Sequence, residues 1–169
     1  MSCELRQDRA GSAGRSGLAS LSGFLASPAF SALTVGVPFA VFKMLLGLLC
    51  LRMAAENASD FQAALGWLAI AWAAADLMMN LVRAAFSLAG KDSPIEFCLI
   101  AQAGRLAGRP RLFLALDTAV SFGIICLVLW SGWIRRLEGA EVYLWYAATT
   151  VNLMGFALLN LVLELMRRE

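Results

Sequence analysis

Residues 69–86 read AIAWAAADLMMNLVRAAF, and this stretch decides the fold because it has no polar stripe wide enough to face water. Only Asp76, Asn80 and Arg83 interrupt it, and they fall on one helical face. It belongs to one of four apolar windows of about 20 residues, each long enough as a helix to cross a hydrocarbon core about 30 Å thick. These windows are 30–51, 63–86, 112–134 and 143–165.

Composition agrees with a membrane solvent. Of the 169 residues, 60% are hydrophobic and 15% are charged, and the mean hydropathy is +0.72. A soluble domain of this size is about half apolar and about one-quarter charged. The sequence therefore predicts an all-α integral membrane protein, a four-helix bundle of up-down hairpins. Residues 1–28 form a cytoplasmic arm in this interpretation and residues 29–169 form the four-span domain; the first window is too long for a cleavable signal.

The distribution of charge predicts the orientation. Lys and Arg are concentrated in the N-terminal arm, in the segment 83–111 and at the C-terminus, whereas the other two loops carry few. The positive-inside rule then places both termini and the middle loop in the cytoplasm, and we expect the membrane to be a bacterial inner membrane. All five Trp residues fall in the half of the bundle that this orientation makes the outer half, where indole rings favour the headgroup boundary.

The middle loop has helical signals of its own. Residues 93–109 read SPIEFCLIAQAGRLAGR, in which Ser93 and Glu96 form a capping-box pattern with Pro94 at the first helical position. They predict a short amphipathic helix over about 94–107 that lies on the inner membrane surface. The alternative is an ordinary connecting helix packed under the bundle. In the first interpretation three side chains contact anionic lipid headgroups: Arg105, Arg109 and Arg111.

Polar side chains inside the windows are the candidate functional residues. An unpaired charge in the middle of a membrane costs about 2.5–3.5 kcal/mol, so such groups turn inward and find partners. Lys43 and Asp76 lie at similar depths on consecutive spans, and we expect them to pair. Asp117 is expected in a second cluster in the inner half, with Asn80 and Asn160. The full set of candidates is Lys43, Asp76, Asn80, Asp117, Asn152 and Asn160.

Small residues four positions apart predict close helix contacts. Gly36 with Ala40, and Ala71 with Ala75, have the small-xxx-small spacing. Pro38 is expected to kink the first span and free a carbonyl.

Several kinds of chemistry have no support in the sequence. The chain has no His, no phosphate-binding glycine loop and no cysteine cluster, so neither a cofactor nor a metal site is expected. A catalytic role is therefore not expected. Nucleic-acid binding is not expected either, because the net charge is only +2 and the basic residues follow the membrane rule.

At the level of layout, the chain resembles MARVEL-type and Casparian-strip-like tetraspan proteins. Those proteins have four spans and cytoplasmic termini, and the latter group has a basic residue in the first span and an Asp in the third. Lys43 and Asp117 are the matching positions here. The resemblance implies a four-span fold and extends to no sequence motif.

Two functions are consistent with these observations. The first is a small, non-catalytic accessory, scaffold or assembly component, in contact with membrane lipids and forming a homo-oligomer or part of a larger membrane complex. The second is a small oligomeric channel or a proton- or ion-coupled carrier that uses Lys43, Asp76 and Asp117.

Overall fold

The computed structural model describes residues 23–25 and 27–167, without the side chains of 163 and 165–167. The described part of the chain is helical and contains no strand. Four of its helices are long and apolar enough to cross a membrane: α1 (Pro28–Asn57), α2 (Asp60–Leu88), α4 (Pro110–Trp130) and α5 (Ala140–Arg167, apolar over Ala140–Val162). A shorter helix, α3 (Leu99–Leu106), lies in the middle loop, and a 3₁₀ turn (Trp133–Arg136) precedes α5. The N-terminal arm, apart from its end, falls outside the described residues.

The helix boundaries follow from local signals. The Ser27 side chain caps α1 by accepting a hydrogen bond from the Phe30 N–H, with Pro28 at the first position. At its other end α1 stops at Ala58, which has a left-handed φ of 49°, and Ser59 at once caps α2. The turn between α1 and α2 is therefore only two residues long, whereas the apolar windows left eleven, 52–62, between the two spans.

The third span is shorter than its apolar window. Residues 112–134 were expected to form it, but α4 ends at Trp130. Gly132 then adopts a left-handed φ of 74°, a conformation that glycine tolerates, and the chain turns into the 3₁₀ segment. An apolar window reports hydropathy only, so it runs through this turn without detecting it.

Helix α1 occupies the centre of the bundle, because it packs against α2, α4 and α5. Its Phe42 ring packs edge-on against Trp145 of α5, with ring centroids 4.9 Å apart. Ile124 and Val128 of α4 complete this core. The central position of α1 is what lets one of its side chains reach two other spans at the same time.

Glycine permits the closest of these contacts. A Cβ atom on Gly47 of α1 would lie 2.8 Å from the Gly66 carbonyl oxygen of α2, and one on Gly66 would lie 2.9 Å from the Gly47 carbonyl oxygen. The two backbones therefore touch, and any larger residue at either position forces them apart. This contact lies outside the small-residue pairs that the sequence suggested.

The first two turns of α1 contain a π-helical segment, Ala32–Gly36. Pro38 has no N–H to donate to the Thr34 carbonyl, and the Val37 N–H reaches back five residues to the Ala32 oxygen. The freed Thr34 oxygen is approached by the Asn152 side-chain amide of α5 at 3.5 Å. Pro38 thus frees a carbonyl, as expected, and the local distortion of the helix is a π turn.

Candidate functional site

One lysine joins three spans. Lys43 Nζ of α1 lies 2.6 Å from Asp76 Oδ2 of α2 and 2.6 Å from Asp117 Oδ1 of α4. All three residues are buried, with 1%, 2% and 4% of their surface exposed. The ammonium also lies 4.3 Å from the centroid of the Trp72 ring, a cation–π contact. We call Lys43, Asp76 and Asp117 the charge triad.

The charge triad lies far from the ends of the helices. Asp76 is 16 residues after Asp60 and 12 before Leu88, which at about 1.5 Å per residue is about 24 Å and 18 Å from the ends of α2. Lys43 is equally central in α1. Charged side chains at such a depth are costly and pair with one another, and in the triad Lys43 pairs with both acids.

The middle loop enters the bundle as far as the charge triad. The Leu99 N–H at the start of α3 donates to Asp76 Oδ1 at 2.8 Å. Further from the triad, Asn80 Nδ2 donates to the Phe97 carbonyl at 2.8 Å and Arg83 to the Ile95 carbonyl at 2.6 Å. Residues 95–99 therefore run antiparallel to α2. They begin beside Arg83, near the C-terminal end of α2, and reach Asp76 near its middle.

This path corrects the expected middle-loop helix. The helix starts at Leu99 and not near 94, because Ser93 Oγ instead accepts from the Ile95 N–H in a tight turn and Cys98 caps the helix. It runs back along the bundle, since Gly104 meets Phe113 near the start of α4. The helix therefore packs against α4, and it covers Leu99–Leu106 where about 94–107 was expected.

Asn80 and Arg83 explain how irregular backbone can exist at this depth. Non-helical backbone within a membrane is tolerated only where protein groups satisfy its polar atoms. The two carbonyls of the entering segment receive their hydrogen bonds from these two side chains of α2. The polar residues at positions 80 and 83 of the opening stretch therefore act as supports for the loop.

A cavity of about 260 Å³ borders the charge triad. Its walls come from α1, α2, α4, α5 and the entering segment of the middle loop. Three phenylalanine residues are among those that line it: Phe39, Phe97 and Phe156. Its polar lining consists of Ser31, Lys43, Asp76, Asn80, Asp117 and Thr118.

Some polar atoms around the cavity have hydrogen-bond partners and others have none among the described residues. Asp76 uses both carboxylate oxygens, one for Lys43 and one for the Leu99 N–H. Asp117 receives from Lys43 through Oδ1, and no other donor to it occurs within the described residues. Asn80 Oδ1 is buried and has no donor in the described part of the chain. One lysine facing two carboxylates leaves a surplus of one negative charge when all three groups are ionised.

Burial also affects the thiol of the loop. Cys98 is 3% exposed, and its Sγ accepts from the Ala101 N–H as the cap of α3. Removal from water raises the pKa of this thiol to about 12, with a smaller upward contribution from the Asp117 and Asp76 charges. The thiol is therefore protonated and unreactive at neutral pH.

Some of the candidate residues from the sequence lie where they were expected, and others do not. Lys43 and Asp76 pair as expected, with Asn80 one turn away. Asp117 differs from the expectation: it joins Lys43 and does not form a separate cluster, and Asn160 is exposed on α5. Asn152 is buried against the π turn of α1. Of the proposed headgroup residues, Arg105 donates to the Pro94 carbonyl at 2.6 Å, and all three are exposed: Arg105, Arg109 and Arg111.

Sequence reasoning missed the contribution of the middle loop. Phe97, Cys98 and Leu99 line the site or contact it, yet none belongs to an apolar window. The available signal was Asn80 with Arg83, two buried-face polar residues that need acceptors. Gly36 was also missed in this role: a Cβ there would lie 1.8 Å from Asn80 Oδ1.

Four long apolar helices gathered around buried charges are the features of a multi-pass helical membrane protein. No family model, no curated protein and no solved structure matches the chain. The function must therefore be argued from the charge triad, the cavity and the middle loop.

Proposed function

We propose that the chain is a non-catalytic accessory, scaffold or assembly component of a membrane complex. The observation that carries this proposal is the position of Lys43, which bridges acids on two other spans while one of those acids holds the middle loop. A buried charge that contacts several elements fixes their arrangement, because moving any one of them leaves an unpaired ion. Such a fixed arrangement suits a protein that presents its outer helix faces to partners.

The outer faces are available for such contacts. Large apolar side chains are exposed along α2, α4 and α5, where lipid or another protein must cover them. We propose that part of this surface contacts lipid and part contacts a second copy of the chain or a larger complex.

The proposed orientation has both termini and the middle loop in the cytoplasm of a bacterial cell, with the α1–α2 turn outside. Two observations support it. Exposed aromatic residues cluster near the ends of the spans that lie away from the middle loop: Trp67, Trp130, Tyr143 and Tyr146. The exposed Arg109 and Arg111 at the start of α4 would meet anionic headgroups of the inner leaflet. Single-cysteine labelling of intact cells tests this: labelling from outside at position 58 is expected and at position 90 is not.

The assembly role is tested by neutralising the whole charge triad. We expect a Lys43→Met, Asp76→Asn, Asp117→Asn variant to migrate in the same large species as the wild type on native gels of gently solubilised membranes. Lys43→Met alone is the matched comparison, and should lose that species because two carboxylates remain unpaired. Turnover or ion flux by the purified wild type would contradict the proposal.

A second candidate, a small oligomeric channel or a proton- or ion-coupled carrier, is favoured by the cavity beside the charge triad. Ionisable groups that line an intramembrane space are the usual components of such pathways. Flux in liposomes, compared between wild type, Asp76→Asn and the exposed control Asp60→Asn, tests this function. Equal flux in the two variants would remove Asp76 from the pathway, and no flux in the wild type would end this candidate.

A further inference from the structure

The cavity beside the charge triad presents an excess of hydrogen-bond acceptors. Asp117 Oδ2 receives no hydrogen bond within the described residues, whereas Oδ1 is held by Lys43. Thr118 Oγ1 donates its proton to the Leu114 carbonyl at 3.0 Å, so it can offer only lone pairs to the cavity. These acceptors would be satisfied by a ligand that donates hydrogen bonds.

The charge of the site has the same implication. With all three groups ionised, the charge triad has one positive and two negative charges, so it presents a surplus of one negative charge beside the cavity. Asp76 accepts hydrogen bonds through both oxygens, whereas Asp117 accepts only from Lys43 among the described residues, so the open acceptor for a cationic ligand is on Asp117. An uncompensated buried carboxylate is costly, and a cationic ligand removes that cost.

The shape and apolar walls define the kind of cation. A cavity of about 260 Å³ is much larger than a single water, which occupies about 30 Å³, and it suits a small organic molecule. The rings of Phe39, Phe97 and Phe156 line it, and aromatic surfaces accept both apolar groups and ammonium ions. An ammonium group supplies three N–H donors for the unpaired acceptors.

We propose that this cavity binds a small organic cation, a primary amine in its protonated form. The ammonium group lies at Asp117 and Thr118, and the apolar body of the ligand lies among the three phenylalanine rings. Binding requires no transport, so this inference stands apart from both functions proposed above. The middle loop forms one wall of the site through Phe97 and Cys98, and the ligand is therefore in contact with the segment that Asp76 holds in place.

The test uses benzylammonium as the probe and benzyl alcohol as its uncharged analogue, with the full-length protein in detergent. Calorimetric titration is expected to show saturable binding of benzylammonium and at least about tenfold weaker binding of benzyl alcohol, a difference of about 1.4 kcal/mol. No binding of benzylammonium, or equal binding of the two compounds, would overturn the proposal.

Two variants locate the bound ligand. Asp117→Asn removes the surplus charge while leaving the Lys43–Asp76 pair, and at least about a tenfold loss of benzylammonium affinity is expected. Asp60→Asn makes the same chemical change at an exposed position on α2 and should leave the affinity unchanged.

Val35→Phe fills the cavity from α1 and keeps all three charges, so it provides an independent check if Asp117→Asn fails to fold. It should also abolish binding, and a circular-dichroism melt at wild-type temperature would show that the fold is retained. Wild-type affinity in a folded Val35→Phe or Asp117→Asn protein would show that the ligand binds elsewhere, and the assignment of the cavity would be wrong.

Discussion

Lys43 Nζ lies 2.6 Å from Asp117 Oδ1, although 74 positions separate the two residues in the sequence. The same nitrogen lies 2.6 Å from Asp76 Oδ2, so the first, second and third spans meet at one atom. Removing one partner of a buried ion pair is far more damaging than neutralising the pair, because the remaining buried charge has no partner. This asymmetry makes the contribution of the charge triad measurable.

Replacement of Lys43 by methionine should destabilise the fold by about 3–5 kcal/mol, since it leaves two buried carboxylates without a counterion. Unfolding by increasing dodecyl sulfate fraction in mixed micelles measures the change. Adding Asp117→Asn to Lys43→Met should recover part of the loss. A Lys43→Met protein as stable as wild type would show that the triad does not hold the spans together.

The ion pair between Arg52 and Glu141 provides a contrast at the end of the bundle where the α1–α2 turn lies. Arg52 contacts both carboxylate oxygens of Glu141, but the two side chains are 28% and 18% exposed. Because solvent screens such pairs, Arg52→Gln should cost about 1 kcal/mol or less in the same unfolding assay. A loss as large as that of Lys43→Met would show that burial does not set the ranking.

Gly47→Ala should separate α1 from α2. The added methyl group would lie 2.7 Å from Ile70 Cγ1 and 2.8 Å from the Gly66 carbonyl oxygen, and neither helix backbone can move without breaking core contacts. We expect a loss of about 1–3 kcal/mol by the same unfolding assay.

Gly123→Ala is the matched control for that change. A Cβ at Gly123 meets no atom within 4 Å, and the residue lies inside α4. The substitution should be neutral or slightly stabilising, because alanine favours helix more than glycine by about 1 kcal/mol. Equal losses at Gly47 and Gly123 would argue against the close backbone contact.

Gly36 and Asn80 should behave as a coupled pair. A methyl group on Gly36 would overlap the Asn80 side chain and displace it from the Phe97 carbonyl. Gly36→Ala should therefore be destabilising in the wild type and close to neutral in an Asn80→Ala background. A double-mutant cycle from unfolding midpoints should give a coupling energy of about 1–3 kcal/mol, and additive effects would show that the two residues do not meet.

The reactivity of Cys98 should report the hold of Asp76 on the middle loop. In a protein whose only cysteine is Cys98, maleimide labelling at pH 8 should be slow, because burial raises the thiol pKa to about 12 from an ordinary value of 9.0. Asp76→Ala removes the acceptor of the Leu99 N–H and should speed labelling by about tenfold or more as the loop opens.

Asp60→Asn, at an exposed carboxylate, should leave the labelling rate of Cys98 unchanged. The rate should also rise with pH in the folded protein, since only the thiolate reacts. Fast labelling of Cys98 in the wild type would contradict the buried position of the loop.

Much of the architecture could be predicted from hydropathy alone. The four apolar windows each overlap one long helix, because a bilayer requires about 20 apolar residues and little else. The Lys43–Asp76 pair was also predictable, since consecutive spans joined by a short turn must lie side by side. What hydropathy could not give was the end of each helix, as at Gly132, where backbone conformation decides.

The partner of Asp117 was not predictable for a different reason. Its depth was estimated from the window 112–134, whereas α4 begins at Pro110 and ends at Trp130, so the helix is shifted toward the N-terminal side of that window. The central position of α1 also brings Lys43 within reach of α4. Neither fact can be predicted from the local sequence around Asp117, because both depend on how the spans are arranged.

The start of the middle-loop helix was mispredicted because a local signal competed with tertiary contacts. The Ser93–Glu96 pattern is a valid helix start, yet the chain continues without helix to Cys98, and the carbonyls of Ile95 and Phe97 bind side chains of α2. Polar side chains on a buried helix face outweigh a capping box, since leaving them without acceptors at that depth costs more.

The shared lysine has a consequence for how the chain is made. One short turn joins the spans that carry Lys43 and Asp76. These two spans can therefore leave the insertion machinery as a hairpin in which the two charges already pair. The third span carries Asp117, whose charge is costly in lipid alone. Lys43 of that hairpin is already available to pair with it. Synthesis from the amino end thus makes Lys43 available before either of the acids that it pairs with.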